Sequence, residues 1–183
     1  MIHKAKIENG IILLLEGLGL DPENQHLVKT PERVSRMWAE TLAAGYDKDV
    51  KRILDVQFDD DYNEMVVVKD IPFMSTCSHH LVPFVGTAKI GYIPNGKVTG
   101  LSKLARVLDV FAQRLQVQER LTRQVANAIN EALEPKGVGV VLSAEHMCMT
   151  HRGVKKPGST TITSCLLGEM MDSAKTRSEF LQF

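Results

Sequence analysis

The sequence predicts an α+β fold: a mainly antiparallel sheet, two long helices on one of its faces, and further helices at the N-terminus. Three observations carry that prediction. Apolar residues recur at helical spacing before residue 50 and again between 101 and 133. Alternating or continuously apolar stretches lie at 65–68, 83–94, 138–149 and 159–167. The blocks follow as helices, strands, two helices, strands, so a paired-helix crossover between two strand pairs covers one sheet face. At 183 residues, 44% of them hydrophobic, the chain can bury a core of its own. We expect one domain over 1–183, with a helical part at 1–50 and the sheet-bearing core at 60–183. The other sheet face needs a cover, which a second copy can supply.

Each element has its own signal. From Lys4 to Leu20, the residues Ile7, Ile11, Leu14, Leu15 and Leu18 share a helical face. Thr30-Pro31-Glu32 reads as a helix start: Thr caps, Pro fits the first helical position, and Glu meets the positive end of the dipole. The buried stripe of that helix is expected to be Val34, Met37, Trp38, Thr41 and Leu42. Asp59-Asp60-Asp61 breaks the pattern before a strand at Met65 to Val68. In 83–94, Val85, Thr87, Lys89 and Gly91 take one side and Ala88, Ile90 and Tyr92 the other, with a turn at Pro94-Asn95-Gly96. Leu104, Ala105, Leu108, Phe111, Ala112 and Leu115 mark the first long helix, from Leu101. Leu121, Val125, Ile129, Ala132 and Leu133 mark the second, from Gln118, which Pro135-Lys136-Gly137 stops. Strands from Val138 to Met149 and from Ser159 to Leu167 flank the basic loop HRGVKKPG, and a short helix ends the chain.

Charge and hydropathy exclude some partners. Lys plus Arg is 22 and Asp plus Glu is 22. A protein built to grip nucleic acid carries a basic excess, so no nucleic-acid partner is expected. The N-terminal apolar run, Ile11 to Leu15, is far shorter than the roughly 20 residues of a membrane span. It also lacks the pattern of a secretory signal. No membrane partner and a cytoplasmic, reducing location are expected, where the three cysteines serve as thiols or metal ligands.

Cys77-Ser78-His79-His80 is the densest group of metal-capable side chains. A Cys and a His three apart reach one ion from a single turn, and thiolate with imidazole suits zinc better than magnesium or calcium. Glu145-His146-Met147-Cys148 is the second half; as the end of a strand, it would put His146 and Cys148 on the same face. Zn2+ held by Cys77, His80 and Cys148 has three protein ligands, and a water in the fourth position makes a catalytic site. His79 and His146 are then free for proton transfer. With either histidine as a fourth ligand, the same site is structural, and spacing leaves both readings open. Cys165, in mid-strand, reads as a packed, inert thiol.

A second constellation suits anions. Gly100-Leu101-Ser102-Lys103-Leu104-Ala105-Arg106 opens a helix whose free N–H groups and dipole favour phosphate, with Ser102, Lys103 and Arg106 on its first turns. A capped helix with two solvated bases accounts for the same residues. Arg152, Lys155 and Lys156 follow Cys148 directly, so this loop adjoins any metal held there and suits a substrate with several phosphates. Glu119, beside Gln118, is either a favourable charge at a helix start or a carboxylate that accepts from N1–H and the 2-amino group of guanine.

Six runs occur in order: TPERV, STCSHHLVPF, AKIGYIP, GLSKLARVLDVFAQRLQVQERLTRQVANAI, AEHMCMTHRGVKKPGSTTITS and KTRSEFL. Together they closely resemble zinc-dependent GTP cyclohydrolase I, from Leu15 to Phe183 and without a large insertion. The resemblance implies a tunnelling-fold subunit whose rings close an antiparallel barrel, two pentameric rings stacking into a homodecamer with active sites between subunits. It implies hydrolysis of GTP at C8 of guanine, loss of formate, and rearrangement to 7,8-dihydroneopterin triphosphate. Residue by residue, it implies Cys77, His80 and Cys148 as zinc ligands, and His79, His146 and Ser102 as the catalytic set. Glu119 with Gln118 would hold guanine, and Lys103, Arg106 and Arg152, with Ser102, the triphosphate. Ser78 stands where the family often has Glu, and His151 where a small or apolar residue is commoner; these put rate and pH optimum in question rather than reaction type. The alternative is a structural-zinc module that binds a nucleotide without turning it over.

Overall fold

The computed structural model describes residues 2–183. Helix α1 (Lys4–Gly17) packs on α2 (Thr30–Met37). Helix α2 begins with Lys29, not Thr30, at the cap position; Thr30 is already helical, Pro31 follows, and no side chain caps the end. Glu32 does stand in the first turn. The buried faces of both helices differ from expectation. Pro31 and Ser35 are buried, Met37 is exposed, and Ser35 Oγ donates to Glu8 of α1 at 2.9 Å. Of the expected face of α1 only Leu15 is buried, while Leu14 and Leu18 remain in solvent. The stripe exists, but α1 packs chiefly on the largely polar α2 and leaves much of it uncovered.

After a π-helical turn (Trp38–Leu42) and a 3-10 turn (Ala44–Asp47), α3 (Val50–Leu54) is capped by Asp49, whose carboxylate accepts from the Lys51 N–H. The core follows in the order β1 (Gln57–Asp59), β2 (Val66–Cys77), β3 (Pro83–Ile93), β4 (Lys97–Thr99), α4 (Leu101–Ala112), β5 (Leu115–Gln116), α5 (Gln118–Leu133). Then come β6 (Gly137–His146), α6 (Met147–Thr150), β7 (Thr160–Gly168), α7 (Glu169–Asp172) and α8 (Ala174–Gln182). The main sheet has the order β5-β2-β3-β6-β7 and is antiparallel except where β5 joins β2. Strands β1 and β4 form a separate pair.

Strand β2 is much longer than its sequence pattern suggested. Val68 pairs with Ile90 and Ile71 with Ala88, so Lys69-Asp70 carries one extra residue, with Asp70 at φ +56°. This β-bulge changes the phase of the strand. Val66 and Val68 pack on the core before it; Ile71, Phe73 and Cys77 do so after it. Alternation therefore fails across the bulge, and only the first segment reads as a strand.

Helices α4 and α5 lie on one sheet face. Leu104, Val107 and Leu108 of α4, with Leu121, Val125 and Ile129 of α5, pack against Phe84, Ile90, Val140 and Leu142. Each such side chain taken out of water contributes about 1.5–3 kcal/mol. Leu115, expected on the first long helix, lies in β5 instead, because the helix ends at Ala112. Helix α5 ends at Glu134, which takes a left-handed conformation (φ +45°) just before Pro135. On the opposite face, Met170 of α7 and Phe180 of α8 form a second cluster with Ile93. Gly139 permits this close approach, since a Cβ there would come within 2.6 Å of Phe180 and Met170. Met74, Val85 and Ile162 remain exposed on the sheet.

Two contacts fix which end of the sheet each helix end occupies. Ser75 Oγ donates to the Ala112 carbonyl at 2.7 Å, tying the C-terminus of α4 to the Cys77 end of β2. The Thr99 N–H donates to Tyr92 Oη at 3.2 Å, and Tyr92 pairs with Val66 and Val138, so α4 begins at the opposite end. Among the described residues no helix is long and apolar enough to cross a membrane.

Candidate active site and metal centre

Cys77 is the last residue of β2, and the chain turns back into β3 within a few residues. Three backbone bonds hold that turn: the N–H groups of Cys77, Ser78 and Leu81 donate to the carbonyls of Val82, Gln116 and Cys77, each at 2.9 Å. The turn brings His80 back over Cys77, with Nδ1 4.0 Å from Sγ. Cys148 arrives from the other side. Strand β6 ends at His146, and residues 147–150 form the helical turn α6. This corrects the expectation that a strand continues through Met149 with His146 and Cys148 on one face. The helical turn separates their directions: Cys148 faces Cys77, and His146 faces Gln118.

The ligand atoms of Cys77, His80 and Cys148 lie within 4.8 Å of one another. Two sulfurs and an imidazole are soft to borderline donors, which fit zinc or a similar transition metal and not an oxygen-seeking cation. Cys77 is buried and Cys148 partly so. Burial, then the neighbouring Cys77, pushes the Cys148 thiol up from its usual value. A metal ion reverses that cost, because it binds the thiolate.

His146 lies beside this centre. Its ring stacks on Phe84, with centroids 4.6 Å apart and planes 3° from parallel. Register explains the stack, since Phe84 and His146 are paired residues of β3 and β6. Burial lowers the His146 pKa and the Glu119 carboxylate opposes that shift, so the ring is neutral at pH 7. Its Nε2 is 2.7 Å from Gln118 Oε1. Gln118 itself is 1% exposed, and its side-chain nitrogen lies 3.1 Å from the Leu142 carbonyl, 2.9 Å from the Thr161 carbonyl and 3.1 Å from Thr163 Oγ1. All of these partners of the Gln118 side chain belong to the protein itself.

Arg152 lies against the centre, its Nη1 2.6 Å from His80 Nε2. His79 is exposed next to it, its ring 6.3 Å from that of His80. Glu119 is exposed on the first turn of α5. Ser102, Lys103 and Arg106 are not part of this group. They lie on the first turns of α4, whose 12 residues span about 18 Å. Only the far end of that helix meets the Cys77 end of the sheet. Cys165 packs against the core, its thiol pushed up by burial, as a packed thiol should be.

A profile of the GTP cyclohydrolase I family matches residues 7–183. The chain belongs to the GTP cyclohydrolase I family. It is 54% identical over 177 residues to a protein of Chlorobium phaeovibrioides named GTP cyclohydrolase 1, covering 96% of this chain and 79% of that one. Proteins of Bacillus mycoides and Bacillus cereus with the same name are each 52% identical over 183 residues, all of this chain and 96% of theirs. A crystal structure of the archaeosine synthase QueF-Like in the apo form aligns with a TM-score of 0.48 at 18% identity, over 57% of this chain and 93% of that one. That likeness is too distant to bear on function. The GTP cyclohydrolase I family consists of enzymes acting on GTP.

Proposed function

We propose that this chain is a zinc-dependent GTP cyclohydrolase that opens guanine at C8, releases formate and forms 7,8-dihydroneopterin triphosphate. The observation that carries the reading is the juxtaposition of three metal-ligand atoms within 4.8 Å with a stacked, neutral imidazole, in a chain of this family. Cys77, His80 and Cys148 would hold the zinc, which when bound would supply Lewis acidity and lower the pKa of water toward about 7. His146 moves protons on the purine, and His79, exposed beside the ligands, serves the ribose oxygen with Ser102. Glu119 accepts from N1–H and the 2-amino group of guanine, which adenine cannot offer. Arg152, Lys103 and Arg106 hold the triphosphate, and that remote binding energy positions the reacting ring.

One chain alone does not assemble this set. Ser102 and Lys103 lie at the opposite end of the sheet from the metal ligands, and their phosphate role requires the helix start of another copy. This separation supports a homo-oligomer with sites between subunits, which we take to be a decamer of two stacked pentamers. A cytoplasmic location agrees with thiol ligands that need a reducing compartment.

The test mixes zinc-loaded protein with GTP and measures formate, together with a fluorescent pterin after oxidation. Formate and pterin in equal amounts support the reading, and GTP recovered intact rejects it. Chelation should abolish turnover while leaving the fold in place; unfolding on chelation would point to a structural ion instead.

A further inference from the structure

We propose that Gln118 is a positioning residue that holds His146 with its proton on Nε2, leaving Nδ1 as the nitrogen that exchanges a proton with substrate. The proposal rests on the cyclohydrolase reading of the site, and it follows from counting hydrogens. Thr122 Oγ1 lies 2.7 Å from the Gln118 backbone carbonyl. A carbonyl only accepts, so the Thr122 hydroxyl hydrogen is used there. Thr163 Oγ1 lies 2.6 Å from Thr122 Oγ1 and must be the donor of that pair. With its own hydrogen committed, Thr163 can only accept from the Gln118 side chain, 3.1 Å away.

The Leu142 and Thr161 carbonyls, at 3.1 and 2.9 Å, are acceptors at the same end of that side chain. Three acceptors around one end make it the NH2 end, and the other end is the oxygen. A flipped amide would set its oxygen against all three. Gln118 is 1% exposed, so little water could relieve the repulsion. The oriented oxygen is 2.7 Å from His146 Nε2, which must therefore carry hydrogen.

That bond persists whether His146 is neutral or cationic, because Nε2 is a donor in both forms. A proton can arrive at Nδ1 and leave again without the ring moving. The parallel Phe84 ring holds the imidazole plane in the meantime. The arrangement resembles the carboxylate that orients a catalytic histidine, with an uncharged amide in its place. Neither Thr122 nor Thr163 meets substrate in this scheme; both act through Gln118.

The test replaces Gln118→Leu in the zinc-loaded oligomer and reads two quantities. Proton–nitrogen correlation spectra of isotope-labelled histidine report the tautomer, with His146 assigned by its loss in His146→Gln. We expect a single Nε2–H form in the parent protein and a mixture in Gln118→Leu. We also expect kcat to fall about 10–100-fold while KM for GTP stays within about twofold. Thr163→Val should fall between the two, and Thr163→Ser should restore the parent values. An unchanged Nε2–H form in Gln118→Leu overturns the proposal, as does a tautomer mixture with unchanged kcat. If Gln118→Leu does not fold, the two Thr163 variants decide the matter on the same readouts. If the parent protein releases no formate from GTP, the cyclohydrolase reading falls, and the spectra alone then uphold or reject the hold of Gln118 on His146.

Discussion

Two substitutions at opposite ends of the sheet provide a direct test of a site shared between copies. Cys148→Ser removes a metal ligand at the Cys77 end, and Lys103→Glu turns a phosphate-binding base into a repelling acid at the start of α4. Within one chain these positions are separated by most of a helix about 18 Å long, more than a lysine side chain bridges. Each variant alone should lack turnover. Unfolded together and refolded as mixed oligomers in equal amounts, they pair at random. Half of the metal-binding halves are then intact, and half of the phosphate-binding halves. About a quarter of the interfaces combine two intact halves, so about a quarter of parental formate release should return. A tag on one variant confirms mixing by co-purification of the other. Mixed oligomers no more active than the separate variants would refute the shared site and require Lys103 to act in its own chain or not at all.

Other consequences follow from the same geometry. Metal uptake should release protons, because burial and Cys77 raise the Cys148 thiol above its usual value and it is protonated at neutral pH. Apparent affinity should therefore rise with pH, by about tenfold per unit for each proton released; calorimetry in buffers of different ionisation enthalpy measures that number. Glu119→Ala should lose about 1.5–3 kcal/mol of preference for guanine over adenine, the worth of hydrogen bonds to a charged acceptor, read from competition between GTP and ATP. Gly139→Ala should destabilise by about 1–3 kcal/mol in urea unfolding, since its methyl would press on Phe180 and Met170 at 2.6 Å. Gly96→Ala, which meets nothing within 4 Å, should cost less and only through its positive φ.

Much of the fold is legible in the sequence, for reasons that differ between elements. Helices α4 and α5 bury unbroken stripes against a single sheet face, so period 3.6 survives in Leu104, Leu108, Leu121, Val125 and Ile129. Helix α1 also carries apolar residues at helical spacing, but its stripe is much weaker than those of α4 and α5, and Leu14 and Leu18 are exposed, because periodicity announces a sticky face and not what covers it. The candidate site divides in the same way. CxxH within a tight turn is local, so Cys77 and His80 can be read directly. The position of Cys148 rests on a strand ending at His146, and nothing in EHMCMT marks the switch to a helical turn. The Phe84 stack and the Thr122–Thr163–Gln118 chain depend on pairing across strands and between helix and sheet, which one-dimensional spacing does not encode.

The extra residue at Lys69-Asp70 has a reach beyond its own turn of the backbone. It sets the parity of everything downstream on β2. In an unbroken strand over the same residues, Ile71, Phe73 and Cys77 would face the layer opposite Val66 and Val68, and the Cys77 sulfur would be carried away from Cys148. Deleting one of the two residues would instead restore plain alternation with β3 and leave Cys77 facing as it does, so that deletion should spare the metal centre. The ion's coordination is written partly in a place that never touches it.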